Sequence, residues 1–131
     1  MPLDNISEIV RGSMAYERSR AEVASYNLAI ANVAIGPGER SPLLSVSPPT
    51  SFAGQLGLQQ PRVHAQARSD SRLVHEPSHP MADQNGMVHY PNIEAAREMA
   101  TLVSATRAYE ANIRSYNSLR EMTLKAFEIG K

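Results

Sequence analysis

His75 and His79 flank Glu76 in a His-Glu-x-x-His spacing. On an α-helix that spacing turns two imidazoles toward one zinc ion and places the carboxylate to act as general base on its bound water. The chemistry would be metal-assisted hydrolysis, and it needs unbroken helix from 75 to 79. Pro77 lies in the middle of the pattern and Pro80 directly behind it. A proline inside a helix costs about 3 kcal/mol and pushes the residue before it toward extended backbone. No third-ligand motif follows. These residues therefore read as loop histidines, and a zinc hydrolase using His75, Glu76 and His79 stands as the competing enzyme reading. No cofactor and no metal are expected.

Two further patterns point to chemistry and are better explained by backbone. Asp83-Gln84-Asn85-Gly86 resembles a fragment of a calcium loop, but it lacks the alternating oxygen ligands and the closing glutamate. Asn-Gly between Asp83 and Met87-Val88 predicts a type I′ hairpin turn instead. Serines and histidines are present without a spacing that suggests a nucleophilic triad, although sequence distance does not decide that point. Tyr109 and Tyr116, seven residues apart, predict helix packing rather than ligand stacking.

The composition narrows the function classes. Thirteen basic and 13 acidic side chains balance, without the basic excess of a nucleic-acid binder. No cysteine occurs in the 131 residues, which removes disulfides and thiolate metal sites. No stretch approaches the roughly 20 apolar residues that span a bilayer, so no membrane insertion is expected. Met1-Pro2-Leu3-Asp4-Asn5-Ile6 lacks the basic flank and apolar run of a Sec signal, which leaves the cytosol or export without a cleaved signal. Aromatic residues amount to 5% and tryptophan is missing. A core with so few large anchors is expected to draw on partners for burial.

Three segments must position whatever these residues do. The first, 1–35, predicts one helix over about 5–34, opened by an Asn5/Glu8 capping box. Val10, Met14, Ala21, Ala24, Leu28, Ala31 and Ile35 form its coiled-coil-like seam, interrupted by Glu17. Gly36-Pro37-Gly38 is expected to end it. The second, 36–91, holds eight of the nine prolines and all four histidines. It reads as a small irregular β-rich insert, with strands near 62–67 and 71–75 and a mobile loop around 41–60.

The third segment, 92–131, predicts a longer helix capped by Asn92, with Glu94 and Glu98 at its positive end. Met99, Leu102, Tyr109, Ile113 and Tyr116 are expected on one face, continued by Leu119, Leu124 and Phe127. Glu110–Arg114 and Glu121–Lys125 are possible i,i+4 ion pairs. The fold class is mainly α: two long terminal helices pairing as a coiled-coil-like hairpin around the β-rich insert. Their seams exceed what two helices alone can cover, so assembly with neighbouring copies is expected.

Leu73 to Ile93, running L-V-H-E-P-S-H-P-M-A-D-Q-N-G-M-V-H-Y-P-N-I, resembles the central signature of the FlgC family of flagellar rod proteins. That signature runs Y-x-P-x-H-P-x-A-D-x-x-G-Y-V-x-x-P-N-V. Glu98-Met99, the run Ala105 to Asn112 and Gly130-Lys131 resemble the family's C-terminal helix. Asn27-Leu28-Ala29-Ile30-Ala31-Asn32 is similar to the N-L-A-N-A-N motif of the wider axial family. Two departures from these patterns matter: Ile30 replaces an asparagine, and Met87 stands where tyrosine is usual. Ser41 to Gln60 matches neither.

The resemblance implies a structural rod subunit, not an enzyme, at the periplasm-spanning rod of the basal body. It would be exported by the flagellar type III apparatus without a cleaved signal. Its terminal helices would assemble with other copies and other rod proteins into a helical shaft around the export channel, with no nucleic acid and no cofactor involved. Another proximal-rod family such as FlgB is the alternative within the flagellum. The expected assembly surface comprises Leu28, Ile30, Asn32, Met99, Leu102, Tyr109, Ile113 and Tyr116. Ile30 borders the intramolecular seam rather than occupying its centre, so it is expected to face a neighbouring subunit.

Overall fold

The structure, a computed structural model, describes residues 2–51, 54, 59–68 and 70–130. Helix α1 spans Pro2–Ile30 and helix α2 spans Ala95–Ile129, about 43 and 52 Å long at 1.5 Å per residue. Between them run β1 (Ser41–Val46), β2 (Val63–Arg68), β3 (Ser71–His75) and β4 (Met87–Pro91). They form two antiparallel two-stranded sheets, β1 with β2 and β3 with β4. The chain is thus mainly α, with a small two-sheet β region between two long helices. No helix among the described residues is long and apolar enough to cross a membrane.

The helices run antiparallel side by side. Asn27 near the end of α1 meets Glu98 near the start of α2 at 3.2 Å. Far down the pair, the Arg11 guanidinium lies 5.9 Å from the centre of the Tyr116 ring. On α1 the inward residues follow the expected seam, with Ala24 and Ala31 buried and Val10, Met14, Ala21 and Leu28 half-buried. Glu17 is accommodated within it because Arg20, one turn on, donates to its carboxylate at 2.7 Å.

On α2 the expected face divides in two. Leu102, Tyr109 and Tyr116 are half-buried toward α1, joined by Ala105, Asn112, Leu119 and Thr123, whereas Met99, Ile113, Leu124 and Phe127 are exposed. The inward residues keep the heptad steps 102–109–116–123 and 105–112–119, and small or polar residues fill several of them. Thr123 tolerates this position because its hydroxyl donates to the Leu119 carbonyl at 2.8 Å. Among the described residues the helical ion pairs lie on α1, Arg18–Glu22 at 2.8 Å and Arg20–Glu17. Glu110–Arg114 and Glu121–Lys125 are not closed.

Five local expectations are corrected. Helix α1 begins at Pro2, a residue suited to a first helical turn, so Asn5 lies inside it and not at a capping box. It ends at Ile30 rather than 34, because the Ile35 N–H is drawn into an antiparallel bridge with the His89 carbonyl at 2.8 Å. Helix α2 starts at Ala95 after Glu94, without a side-chain cap. Asn92 is not that cap, since its amide donates to Asp70 Oδ2 at 2.8 Å. Part of the expected loop 41–60 is strand β1; residues 52, 53 and 55–58 of it lie outside the described residues.

The fifth correction concerns the turn at Asn85-Gly86. Gly86 alone there has positive φ, at 72°, whereas a type I′ turn needs it at both central residues. Gly86 N–H donates to the Asp83 carbonyl at 2.9 Å and Asp83 N–H to the Met87 carbonyl at 2.8 Å. That is a three-residue loop closed by a left-handed glycine. Asp83 determines the choice: its Oδ1 accepts the N–H groups of Asn85 at 2.8 Å and Met87 at 2.9 Å. These two donors, Met87 first, hold the carboxyl below the usual aspartate range.

Candidate assembly surface

The core sits at one end of the helical pair. Val23, Ala24 and Ala31 from α1 and its exit, Leu43 from β1, Val88 from β4 and Ala105 from α2 are buried apolar residues, and Pro91 at the end of β4 is fully buried as well. In their midst Asn27 is 1% exposed. Its Oδ1 accepts the Leu44 N–H at 3.0 Å and its Nδ2 donates to the Leu44 carbonyl at 3.0 Å. The side-chain amide thus copies one rung of a β-ladder and satisfies the edge of β1 that faces away from β2. Nδ2 also donates to Glu98 Oε2 at 3.2 Å. A buried amide left unpaired would cost about 1–3 kcal/mol, and here both of its ends are paired.

The sequence reading missed this joint. Asn27 opens the Asn-Leu-Ala-Ile-Ala-Asn run and Glu98 lies 71 residues on, so the two motif segments touch through their polar members. The signal was a polar residue inside an otherwise small and apolar stretch, which marks a specific partner when it is buried.

Around this anchored end the expected surface residues divide by exposure. Leu28, Leu102, Tyr109 and Tyr116 are half-buried in contact between the helices, and Ile30 is half-buried at the last position of α1. Asn32 is exposed and its Oδ1 lies 3.4 Å from Arg72 Nη2. Met99 is 60% exposed, with Val103 one turn on and Ile113 further along, all on one flank of α2 beside the seam. A second open group closes the far end of the helix: Met122, Leu124, Phe127 and Ile129, the last two 66% and 86% exposed. Exposed apolar groups spaced along a flank in this way are what a partner surface covers.

The residues with chemical potential are placed otherwise. His75 ends strand β3 and His79 lies in the turn after it, where its Nδ1 accepts the Met81 N–H at 3.1 Å. Glu76 accepts from the Tyr90 hydroxyl at 3.4 Å. The three do not share a helix face, and among the described residues no group of three or more His, Asp or Glu side chains is arranged to hold a metal ion. Ser71, His89 and Asp83 come together in space, with Ser71 Oγ 3.0 Å from His89 Nδ1 and His89 Nε2 3.7 Å from Asp83 Oδ2. The second distance is too long for a hydrogen bond, and the carboxylate is occupied by two backbone N–H groups. This trio joins β3, β4 and the 83–87 turn.

The chain is similar to known flagellar rod proteins. The family model described as "Flagellar basal body rod FlgEFG protein C-terminal" matches residues 84–129, which takes in the turn from Gln84 onward, β4 and all of α2. The flagellar basal-body rod protein FlgC of Salmonella typhimurium is 35% identical over 136 aligned residues, covering the whole of both chains. FlgC of Bacillus subtilis is 48% identical over 63 residues, 48% of this chain and 42% of that protein. FlgC of Agrobacterium fabrum is 27% identical over 99% of this chain and 96% of its own.

Proposed function

Because the chain belongs to the FlgC family of flagellar basal-body rod proteins, we propose that its two helices pair as a coiled-coil-like unit and build the rod by packing flank to flank with those of neighbouring subunits. It is a structural subunit of the flagellar basal-body rod. The neighbours are further copies of this chain and other rod proteins, and the work is mechanical rather than catalytic. The subunit reaches the periplasm-spanning rod through the flagellar type III export apparatus, without a cleaved signal. Segments 1–35 and 92–131 form the shaft, and 36–91 forms a separate small layer upon it. The assembly surface comprises Leu28, Ile30, Asn32, Met99, Leu102, Tyr109, Ile113 and Tyr116.

The observation that supports this reading is the open apolar flank of α2, led by Met99 at 60% exposure. Ile30 supports it from the other helix. It stands where the wider axial family carries an asparagine, and it is half-buried within the single chain. Burial of such a side chain is worth about 1.5–3 kcal/mol when complete, so a neighbour that covers the remainder gains a share of that.

Charge on these positions tests the reading. Met99→Asp and Ile30→Asp are expected to leave a soluble, helical subunit and to abolish or strongly reduce swimming when each replaces the native protein. A carboxylate at a covered site is costly to desolvate. Ile30→Asn, which restores the family residue, is expected to swim nearly normally. Normal motility of both aspartate variants would refute the surface.

A further inference from the structure

Asn85 stands at the tip of the 83–87 turn, and it is the one asparagine in the chain with glycine directly after it. Its side chain is exposed, and among the described residues no protein group is hydrogen-bonded to its side-chain amide. Gly86 is fixed by the fold. Its φ of 72° suits a residue without a side chain, and an added Cβ would stand 3.1 Å from Pro77 Cγ and 3.2 Å from Pro77 Cβ. The requirement has a chemical consequence: a backbone nitrogen belonging to glycine is the least hindered nucleophile the chain can place beside an asparagine side chain.

We propose that Asn85 is a site of spontaneous backbone-assisted deamidation, gated by the Asp83 clasp. The Gly86 nitrogen attacks Asn85 Cγ, forming an N–Cγ bond and giving its proton to water. The Cγ–Nδ2 bond breaks and Nδ2, taking up a proton, leaves as ammonia, which yields a five-membered cyclic imide. Water then adds to one of the two imide carbonyls and opens the ring to aspartate or isoaspartate. Nothing is oxidised or reduced, and the sum is asparagine plus water giving the acid plus ammonia.

The gate is the hydrogen bonding already described. Gly86 N–H is held by the Asp83 carbonyl at 2.9 Å, and Asp83 Oδ1 pins the residues on either side of Gly86. Attack requires that this clasp open. The product then works against reclosure. Either acid sets a second carboxylate beside Asp83, and the isoaspartyl form adds a methylene to the backbone between 85 and 86. Met87 and Val88 pair with His75 and Val74 directly beyond, and Val88 is fully buried, so the register of β3 with β4 carries the damage. This chemistry is independent of the rod assignment.

The test is a time course of the full-length subunit at mildly alkaline pH and 37 °C, read by peptide mapping with electron-transfer fragmentation to separate aspartate from isoaspartate. Asn85 is expected to convert first, ahead of Asn117, which precedes the small residue Ser118. The same chain in concentrated urea is expected to convert Asn85 about tenfold faster or more, as local opening no longer limits it. Asp83→Ala in buffer is expected to move toward the urea rate. Asn85 outlasting Asn117 overturns the site. Equal rates in buffer and urea overturn the gate, and that comparison needs no variant to fold.

Discussion

Where the helices meet the strands, Val23, Ala24, Asn27 and Ala105 are buried and both ends of the Asn27 side-chain amide have a partner; at the opposite end of the same two helices, Ile6, Met122, Leu124, Phe127 and Ile129 are open to solvent. The two regions share a helix pair and differ in what covers it. β1 and β4 supply Leu43 and Val88 at the first end, and among the described residues no strand reaches the second. Helices short of tertiary cover are marginal in water whatever their propensity. One end of the helix pair is therefore covered within the chain, and the other is left open.

The strongest way to break that contrast is to remove the amide that secures the covered end. Asn27→Ala leaves the Leu44 N–H and carbonyl without their partner, and it opens space beside Val23. The expected loss is about 2–4 kcal/mol, since each stranded buried group costs about 1–3 kcal/mol. Chemical denaturation followed by circular dichroism measures it. Asn27→Asp keeps the acceptor for Leu44 N–H but sets a carboxylate against Glu98, so it is expected to be at least as damaging, with partial rescue by Glu98→Gln. A double-mutant cycle reads the coupling directly. Loss below about 0.5 kcal/mol in Asn27→Ala, the range of ordinary surface changes, would show that the joint does not hold the end together.

Amide exchange of the dilute subunit sharpens the same contrast without altering a residue. Protection is expected to be highest over 20–30 and 98–109 and to decline toward 5–12 and 118–129, where buried contacts are few. Uniform protection along both helices would contradict the division. A maximum at the far end would reverse it.

Much of this organisation was legible in the sequence, and the reasons differ by element. Two long helices around a proline-rich insert followed from periodicity and from the grouping of the prolines. The inward face of α1 followed because Ala24, Leu28 and Ala31 are small or apolar at regular steps. The inward face of α2 followed only in part: Leu102, Tyr109, Tyr116 and Leu119 sit inward as expected, but so do Ala105, Asn112 and Thr123, while Met99 and Ile113 sit outward. Hydrophobicity marks what will be covered somewhere, not which neighbour covers it. Strand β1 was hidden because one rung of its edge, at Leu44, is satisfied by a side chain, Asn27, and no local pattern announces that. The exit of α1 was misplaced because Ile35 answers to His89, a residue 54 positions away. The family signature carried the function; of the proposed surface, Asn32, Met99 and Ile113 are exposed, and Leu28, Ile30, Leu102, Tyr109 and Tyr116 are half-buried.

The smallest expected effect lies in the insert and isolates one contact from the helical contrast. The Asp83 carboxyl is held low by the Met87 N–H first and the Asn85 N–H after it, with a lesser pull from His89, while partial desolvation opposes them. The folded chain therefore binds a proton at Asp83 less readily than the unfolded chain does. In the window between the lowered value and the ordinary one of about 3.9, the unfolded state carries more protons, so stability falls as pH falls through it. The contribution is fully present above that ordinary value and is lost below the lowered one. Asp83→Asn retains an oxygen for the same two N–H groups but cannot titrate, so its stability is expected to be flatter across the acid range, and slightly lower at neutral pH. Thermal melts of the two proteins from neutral to acid pH, followed at the insert by the chemical shifts of Gly86 and Met87, make the comparison. Melting temperatures that fall in parallel would show that the clasp contributes through its shape and not its charge. A wild-type curve that rises on acidification relative to Asp83→Asn would contradict the lowered carboxyl itself.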